Sequence, residues 1–341
     1  MVIGCSSESG LHLGLEPKTP VEEEPDPPAP PAPDEPATLR GTVCSPNGAG
    51  PVTHADVTVM VEPEPVQSTT DASGLFVIDD LPPGTWEVVI EKGSFVLTEE
   101  VVLEAGRVTN LSNEDECVPL EQGDLEIAVV TGLYDKIEDL LDGLGLEYDQ
   151  INGKSGQDHV DLLLDPARMA EYDLIFFNCG MQENWLSDKV EIADNLRDFV
   201  KGGGSLYASD WAFLMVEGPW GDQIDFLGDD NDNNDARRGN RGDVDAVVLD
   251  PAMVSALGGD QANLHFDLWD WVAMEDAKAE WLLEGDYKYR DGAFGGAAPG
   301  SGPMAVRFHD GDGTVVYTSF HNENQTTGDM LVLLEEIIFS L

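Results

Sequence analysis

Tyr172-Asp-Leu-Ile-Phe-Phe-Asn178 reads as a strand buried on both faces, because its apolar core is continuous rather than alternating. Upstream lies a second mostly apolar strand, Leu125-Glu-Ile-Ala-Val-Val-Thr131, followed by a helical pattern through Ile137, Leu140, Leu141 and Leu144. Downstream, an amphipathic helix from Val190 to Val200 ends at Lys201-Gly-Gly-Gly204 and gives way to another strand, Ser205-Leu-Tyr-Ala-Ser209. Strands alternating with helices predict a parallel α/β sheet with helices on both faces.

This domain is expected to occupy residues 124–341. After Trp211 its regularity weakens, and residues from about 218 to 264 read as a long insertion rather than another regular unit. Order returns with Trp269 to Met274, Ala279 to Leu283, Met304 to Phe308 and Thr314-Val-Val-Tyr-Thr-Ser-Phe320. A closing helix is expected from about Thr327 to Phe339.

Residues 38–120 follow a different rhythm. Leu39 to Cys44, Ala55 to Val61, Gly74 to Ile78, Gly84 to Ile90 and Phe95 to Leu103 are short alternating runs separated by turn residues, which predicts a small antiparallel β-sandwich. Gly41-Thr-Val, Ala55-Asp-Val, Thr70-Asp-Ala-Ser-Gly-Leu-Phe76 and Leu81-Pro-Pro-Gly-Thr-Trp-Glu-Val88 resemble, in order and spacing, the carboxypeptidase regulatory-like domain. That resemblance implies a transthyretin-like sandwich serving as a spacer or accessory module. Trp86, on an alternating strand, reads as a core anchor rather than as a platform for a sugar.

Ahead of the sandwich, residues 16–37 are rich in proline and glutamate and can build neither helix nor sheet, since proline removes amide donors and the carboxylates repel one another. They read as an extended linker. Residues 1–15 contain Val2-Ile3-Gly4-Cys5, which resembles the end of a bacterial lipoprotein signal, with Cys5 as the lipidated residue. The expected location is therefore the bacterial cell envelope, anchored by lipid to the outer membrane or cell surface, with the membrane as one partner.

Sixty-seven acidic against 17 basic residues give a net charge of −50, which repels phosphate backbones and excludes nucleic acid as an expected partner. The four cysteines divide by location. With Cys5 assigned to lipid, Cys44 and Cys117 stand near the two ends of the sandwich, where an exported protein can form a disulfide, and Cys179 is left over.

Three pieces of the second domain, Tyr172 to Gly180, Leu196-Arg-Asp-Phe-Val-Lys-Gly-Gly-Gly-Ser-Leu-Tyr207 and Gly313-Thr-Val-Val-Tyr-Thr-Ser-Phe-His321, resemble the flavodoxin-like fold of the class I glutamine amidotransferases. The branch they resemble includes trehalose-utilisation-type proteins. Catalytic members of that fold carry a nucleophile at the sharp turn after a central strand, and a histidine followed two residues later by glutamate. The matching residues here are Ser209, His321 and Glu323, a chemically coherent base-assisted nucleophile. Around Ser209, however, Ala208 and Asp210-Trp211 stand where the fold's small glycines permit the strained elbow, which points to a non-catalytic descendant that keeps its cleft. Cys179, Asp210 and Trp211 fall at the carboxyl ends of strands, where open α/β sheets bind ligands. Cys179 itself reads as a buried, small apolar residue.

Asp229, Asp230, Asp232 and Asp235 lie in an acidic run that has the oxygen chemistry for calcium but lacks the glycine and glutamate of an EF-hand loop. No other cofactor is expected. Trp269 and Trp271, two residues apart, are expected on one face of a strand that could line a cleft, and core packing is the alternative. The favoured function is an envelope lipoprotein displaying a non-catalytic binding or scaffold module, with an extracellular glycan or protein as ligand. The competing readings are a hydrolase using Ser209, His321 and Glu323, and a carbohydrate-binding surface protein.

Overall fold

The computed structural model describes residues 32, 34–112, 116–228, 236–291, 296–322 and 326–341. Cys5, the calcium candidates Asp229, Asp230, Asp232 and Asp235, and the triad candidate Glu323 lie outside them. No helix among the described residues is long and apolar enough to cross a membrane.

The N-terminal domain is a two-sheet sandwich. One sheet orders Leu75–Leu81, Ala37–Cys44 and Val108–Asn110, with Val118–Pro119 also pairing the central strand, and the other orders Val66–Thr69, Asp56–Val59, Gly84–Lys92 and Phe95–Leu103. Alternation decides what faces inward: in Leu75–Leu81, Phe76, Ile78 and Leu81 are buried while Leu75 and Val77 remain exposed. Cys44 and Cys117 form a disulfide with their Cα atoms 5.8 Å apart, tying the first strand to the segment beyond the last long one.

The second domain is built on five parallel strands, in the spatial order Asp149–Ile151, Ile127–Val130, Leu174–Phe177, Ser205–Ser209, Gly313–Thr318. Numbered along the chain this is 2-1-3-4-5, the order of a flavodoxin-like doubly wound sheet. Successive residues point to opposite faces and so enter different cores. Ile127, Val129, Leu174, Phe176 and Tyr207 join the helices Ile137–Leu144 and Gly328–Phe339, whereas Ala128, Val130, Ile175, Phe177 and Leu206 join Asp158–Leu163, Lys189–Lys201 and Leu214–Trp220. The last helix is capped by Thr327, whose hydroxyl accepts the Met330 N–H at 3.1 Å.

The sheet is mixed rather than wholly parallel. Beyond Gly313–Thr318 it continues through the antiparallel strands Ala297–Asp310 and Glu280–Arg290 to Gly242–Val248, Gln261–Phe266, Arg237–Gly239 and Trp271–Val272. The expectation of an irregular insertion over about 218–264 is thereby corrected. Gly242–Val248 buries Val244, Ala246 and Val248 on one face and turns aspartates outward, so the acidic residues that obscured the strand are its solvent-facing half.

Nor does the sandwich stand apart from the second domain. A continuous apolar core runs from Leu39, Val57 and Phe95 into Ile137, Leu334 and Phe339. The Phe95 and Phe339 rings meet edge to face at 5.1 Å, and the Ser94 N–H donates to the Leu341 carbonyl at 2.6 Å.

Candidate functional site

Three neighbouring parallel strands deliver one chemically active side chain each, just past their carboxyl ends. Cys179 follows Leu174–Phe177, Asp210 follows Ser205–Ser209, and His321 follows Gly313–Thr318. A loop after the first strand, Thr131 to Asp135, fits against Cys179 because Gly132 has no side chain: a Cβ there would lie 2.0 Å from the Cys179 carbonyl oxygen.

The strained residue of the elbow is Asp210, not Ser209. Ser209 is ordinary extended backbone (φ −118°, ψ 137°), whereas Asp210 has φ 44°, a conformation costly for a residue with a side chain. The consequence is a one-residue change in which group meets the histidine. Asp210 Oδ2 lies 3.4 Å from His321 Nε2, and the Cys179 thiol donates to the same oxygen at 3.4 Å. The other oxygen, Oδ1, accepts the Val272 N–H at 2.6 Å, which fixes the carboxylate's orientation.

Ser209 is fully buried behind this layer, its hydroxyl donating to Asp135 Oδ2 at 2.5 Å and accepting the Cys179 N–H at 3.0 Å. Asp135 Oδ1 in turn accepts the Asn322 N–H at 3.2 Å. Burial pushes the Asp135 carboxyl up, while the His321 charge and the Ser209 hydrogen bond pull it down. Ser209 thus serves as a hydrogen-bonded link between Asp135 and the Cys179 backbone, and the expected Ser209–His321 pairing is replaced by Asp210–His321. Cys179 is no ready nucleophile either, because burial first and the Asp210 charge second hold its thiol well above the usual range.

Cys179, Asp210 and His321 floor a cleft of about 210 Å³ whose far wall comes from the antiparallel extension. Trp211 stands at its side, half-buried, with Nε1 donating to the Asp270 carbonyl at 2.8 Å and its ring meeting Tyr134 edge-on at 5.7 Å. Arg237, ion-paired with Glu183, places its guanidinium 4.6 Å from the Trp211 ring centre. The tryptophan pair is divided. Asp270 (φ 69°) breaks the alternation, so Trp271 is buried and stacked on Phe266 with centroids 4.1 Å apart, while Trp269 stands 53% exposed at the rim. Beside it Leu268 and Tyr134 are also exposed. Trp86 of the sandwich is partly buried against the core, its Nε1 donating to the Pro82 carbonyl at 2.8 Å.

Sequence reasoning named Cys179, Asp210 and Trp211 as cleft residues, and all three line it. It passed over Asp135, whose only local signal was its place in the loop after the first strand, and two residues that line the cleft: Asp270, inside a stretch read as plain strand, and His265, between that stretch and the one read as an insertion.

Comparison with known proteins gives the following. Residues 38–113 match the carboxypeptidase regulatory-like domain. No curated protein matches the chain. Among solved structures, a candidate carbohydrate-binding protein from Pseudomonas aeruginosa aligns at 17% identity with a TM-score of 0.19, over 26% of this chain and 96% of its own. Another, from Bacteroides uniformis, aligns at 19% identity with a TM-score of 0.19, over 23% of this chain and only 40% of its own. A glutamine amidotransferase from Thermotoga maritima aligns at 10% identity with a TM-score of 0.36, over 59% of this chain and 76% of its own.

Proposed function

We propose that the protein is a lipid-anchored envelope protein whose α/β domain holds a neutral glycan, one ring deep, in the cleft above Asp210 without transforming it. The observation that carries this reading is the exposed Trp269 at the mouth of an acid- and histidine-floored pocket. An indole presents a flat apolar face with a polar edge, the surface that the C–H face of a sugar covers, while Asp210 and His321 below offer acceptors and donors to ring hydroxyls. At about 210 Å³ the cleft falls below the roughly 300–1,000 Å³ of pockets that enclose drug-sized ligands, which suits a single ring. A net charge of −50 disfavours anionic glycans, so among sugars the neutral ones match. The anchor rests on Val2-Ile3-Gly4-Cys5 and the proline-rich run that follows.

Mobility in native gels containing neutral polysaccharides tests the binding. Retardation that Trp269→Ala reduces about tenfold or more, equivalent to ~1.4 kcal/mol, supports the reading. Uniform mobility across a broad neutral panel ends it.

A further inference from the structure

The geometry points to a divalent transition-metal site formed by Cys179 Sγ, Asp210 Oδ2 and His321 Nε2, with its fourth coordination position opening into the cleft. The three donor atoms lie within 4.8 Å of one another, and the two contacts to Asp210 Oδ2 are both 3.4 Å. Tetrahedral zinc, bound to sulfur at about 2.3 Å and to nitrogen and oxygen at about 2.0–2.2 Å, spaces its donors about 3.3–3.6 Å apart. Both contacts match those edges, and the third, between Cys179 and His321, is at most 4.8 Å.

The donor set selects the metal. One sulfur, one imidazole nitrogen and one carboxylate oxygen suit zinc or cobalt, whereas calcium and magnesium take oxygen alone. A thiolate and a carboxylate also balance a divalent charge, which makes their close approach favourable where two anions alone would repel each other.

Surrounding groups hold the donors in register, as outer-shell partners do in metal sites. The Val272 N–H occupies Asp210 Oδ1 and leaves Oδ2 to the cluster, while the Ser209 hydroxyl accepts the Cys179 N–H at 3.0 Å. The strained backbone of Asp210 also gains a reason, since it is what carries this carboxylate to a point shared by Cys179 and His321. All three ligands are almost wholly buried yet line the cleft, so three protein ligands with an exchangeable fourth position, rather than a closed structural cage, is the arrangement. This inference does not depend on a glycan entering the cleft.

The test is cobalt titration of the full chain after chelator treatment and dialysis. Expected are one tightly held cobalt per chain with thiolate-to-cobalt charge-transfer absorption, displacement by zinc, and insensitivity to a calcium excess that occupies the acidic surface. Cys179→Ala should abolish the charge-transfer band, while Asp210→Asn and His321→Asn should weaken binding by about tenfold or more, with the fold of each variant checked by circular dichroism. Absence of the band from folded wild-type protein, or its persistence in Cys179→Ala, overturns the site. Glycan retardation measured on the metal-free protein fails or succeeds separately, so the two ideas remain distinguishable.

Discussion

Lys92 of the sandwich and Glu336 of the last helix form an ion pair buried between the two domains, with side chains only 6% and 7% exposed. Around it, the Lys92 ammonium also donates to the Thr53 carbonyl, and the Thr53 hydroxyl donates to Glu336 Oε2 at 3.1 Å. Both Glu336 oxygens are thus met from across the seam, by Lys92 and by Thr53, which makes the pair a determinant of how the domains dock. Lys92→Met strands a carboxylate in an apolar interface and is expected to cost about 3–5 kcal/mol in urea unfolding. Lys92→Met combined with Glu336→Leu should restore much of that loss, because neither charge then remains. Strict additivity of the two single changes would show that the pair is not coupled.

The Cys44–Cys117 disulfide closes a loop of 73 residues in sequence separation. Reduction, or replacement of both cysteines by alanine, is expected to remove about 2–4 kcal/mol. A melting midpoint unchanged by reductant would contradict this.

Asp71 organises the turn before Leu75–Leu81, accepting the Ser73 N–H at 2.8 Å, the Ser73 hydroxyl at 2.7 Å and the Leu75 N–H at 3.0 Å. The Ser73 hydroxyl, followed by the Ser73 amide, holds its carboxyl below the ordinary value. A depressed folded-state value means that the ionised form stabilises the fold: the benefit is complete above the unfolded value near 3.9 and is lost as pH falls through the folded one. The group is exposed, so about 0.5–1 kcal/mol is expected after screening. Asp71→Asn should therefore melt below wild type at pH 7, and the gap should close on acidification below about pH 4. A gap independent of pH would assign the effect to something other than the carboxylate.

Ser209 joins Asp135 to the Cys179 backbone rather than meeting His321. Ser209→Ala leaves a buried carboxyl and a buried N–H each one partner short, an expected loss of about 1–3 kcal/mol. A serine-directed fluorophosphonate should fail to label the folded wild type at this residue. Labelling at Ser209 that His321→Ala abolishes would instead restore the hydrolase reading.

Much of the fold was legible because its signals are local. Leu174–Phe177 and Ile127–Val130 are continuous apolar runs, Lys189–Lys201 repeats at helical spacing, and the sandwich strands alternate between turns. The antiparallel extension was harder to read, since aspartates on the solvent faces of Gly242–Val248 resemble loop composition when the partner strand is unknown. At the elbow, sequence identified the right turn but assigned its apex to Ser209. A backbone angle places it at Asp210, and no residue pattern encodes an angle that the neighbouring strands impose.

By itself, the sequence determined a β-sandwich followed by an α/β domain, the strongly acidic composition and the end of the sheet at which the cleft opens. Periodicity and charge are properties of neighbours in the chain, and they survive without a structure. Only the tertiary structure decided that Cys179, Asp210 and His321 share one point and that Lys92 and Glu336 close the seam between domains. Those partners are separated by 31 to 244 residues, and they meet because parallel strands end side by side and two apolar faces merge into one core.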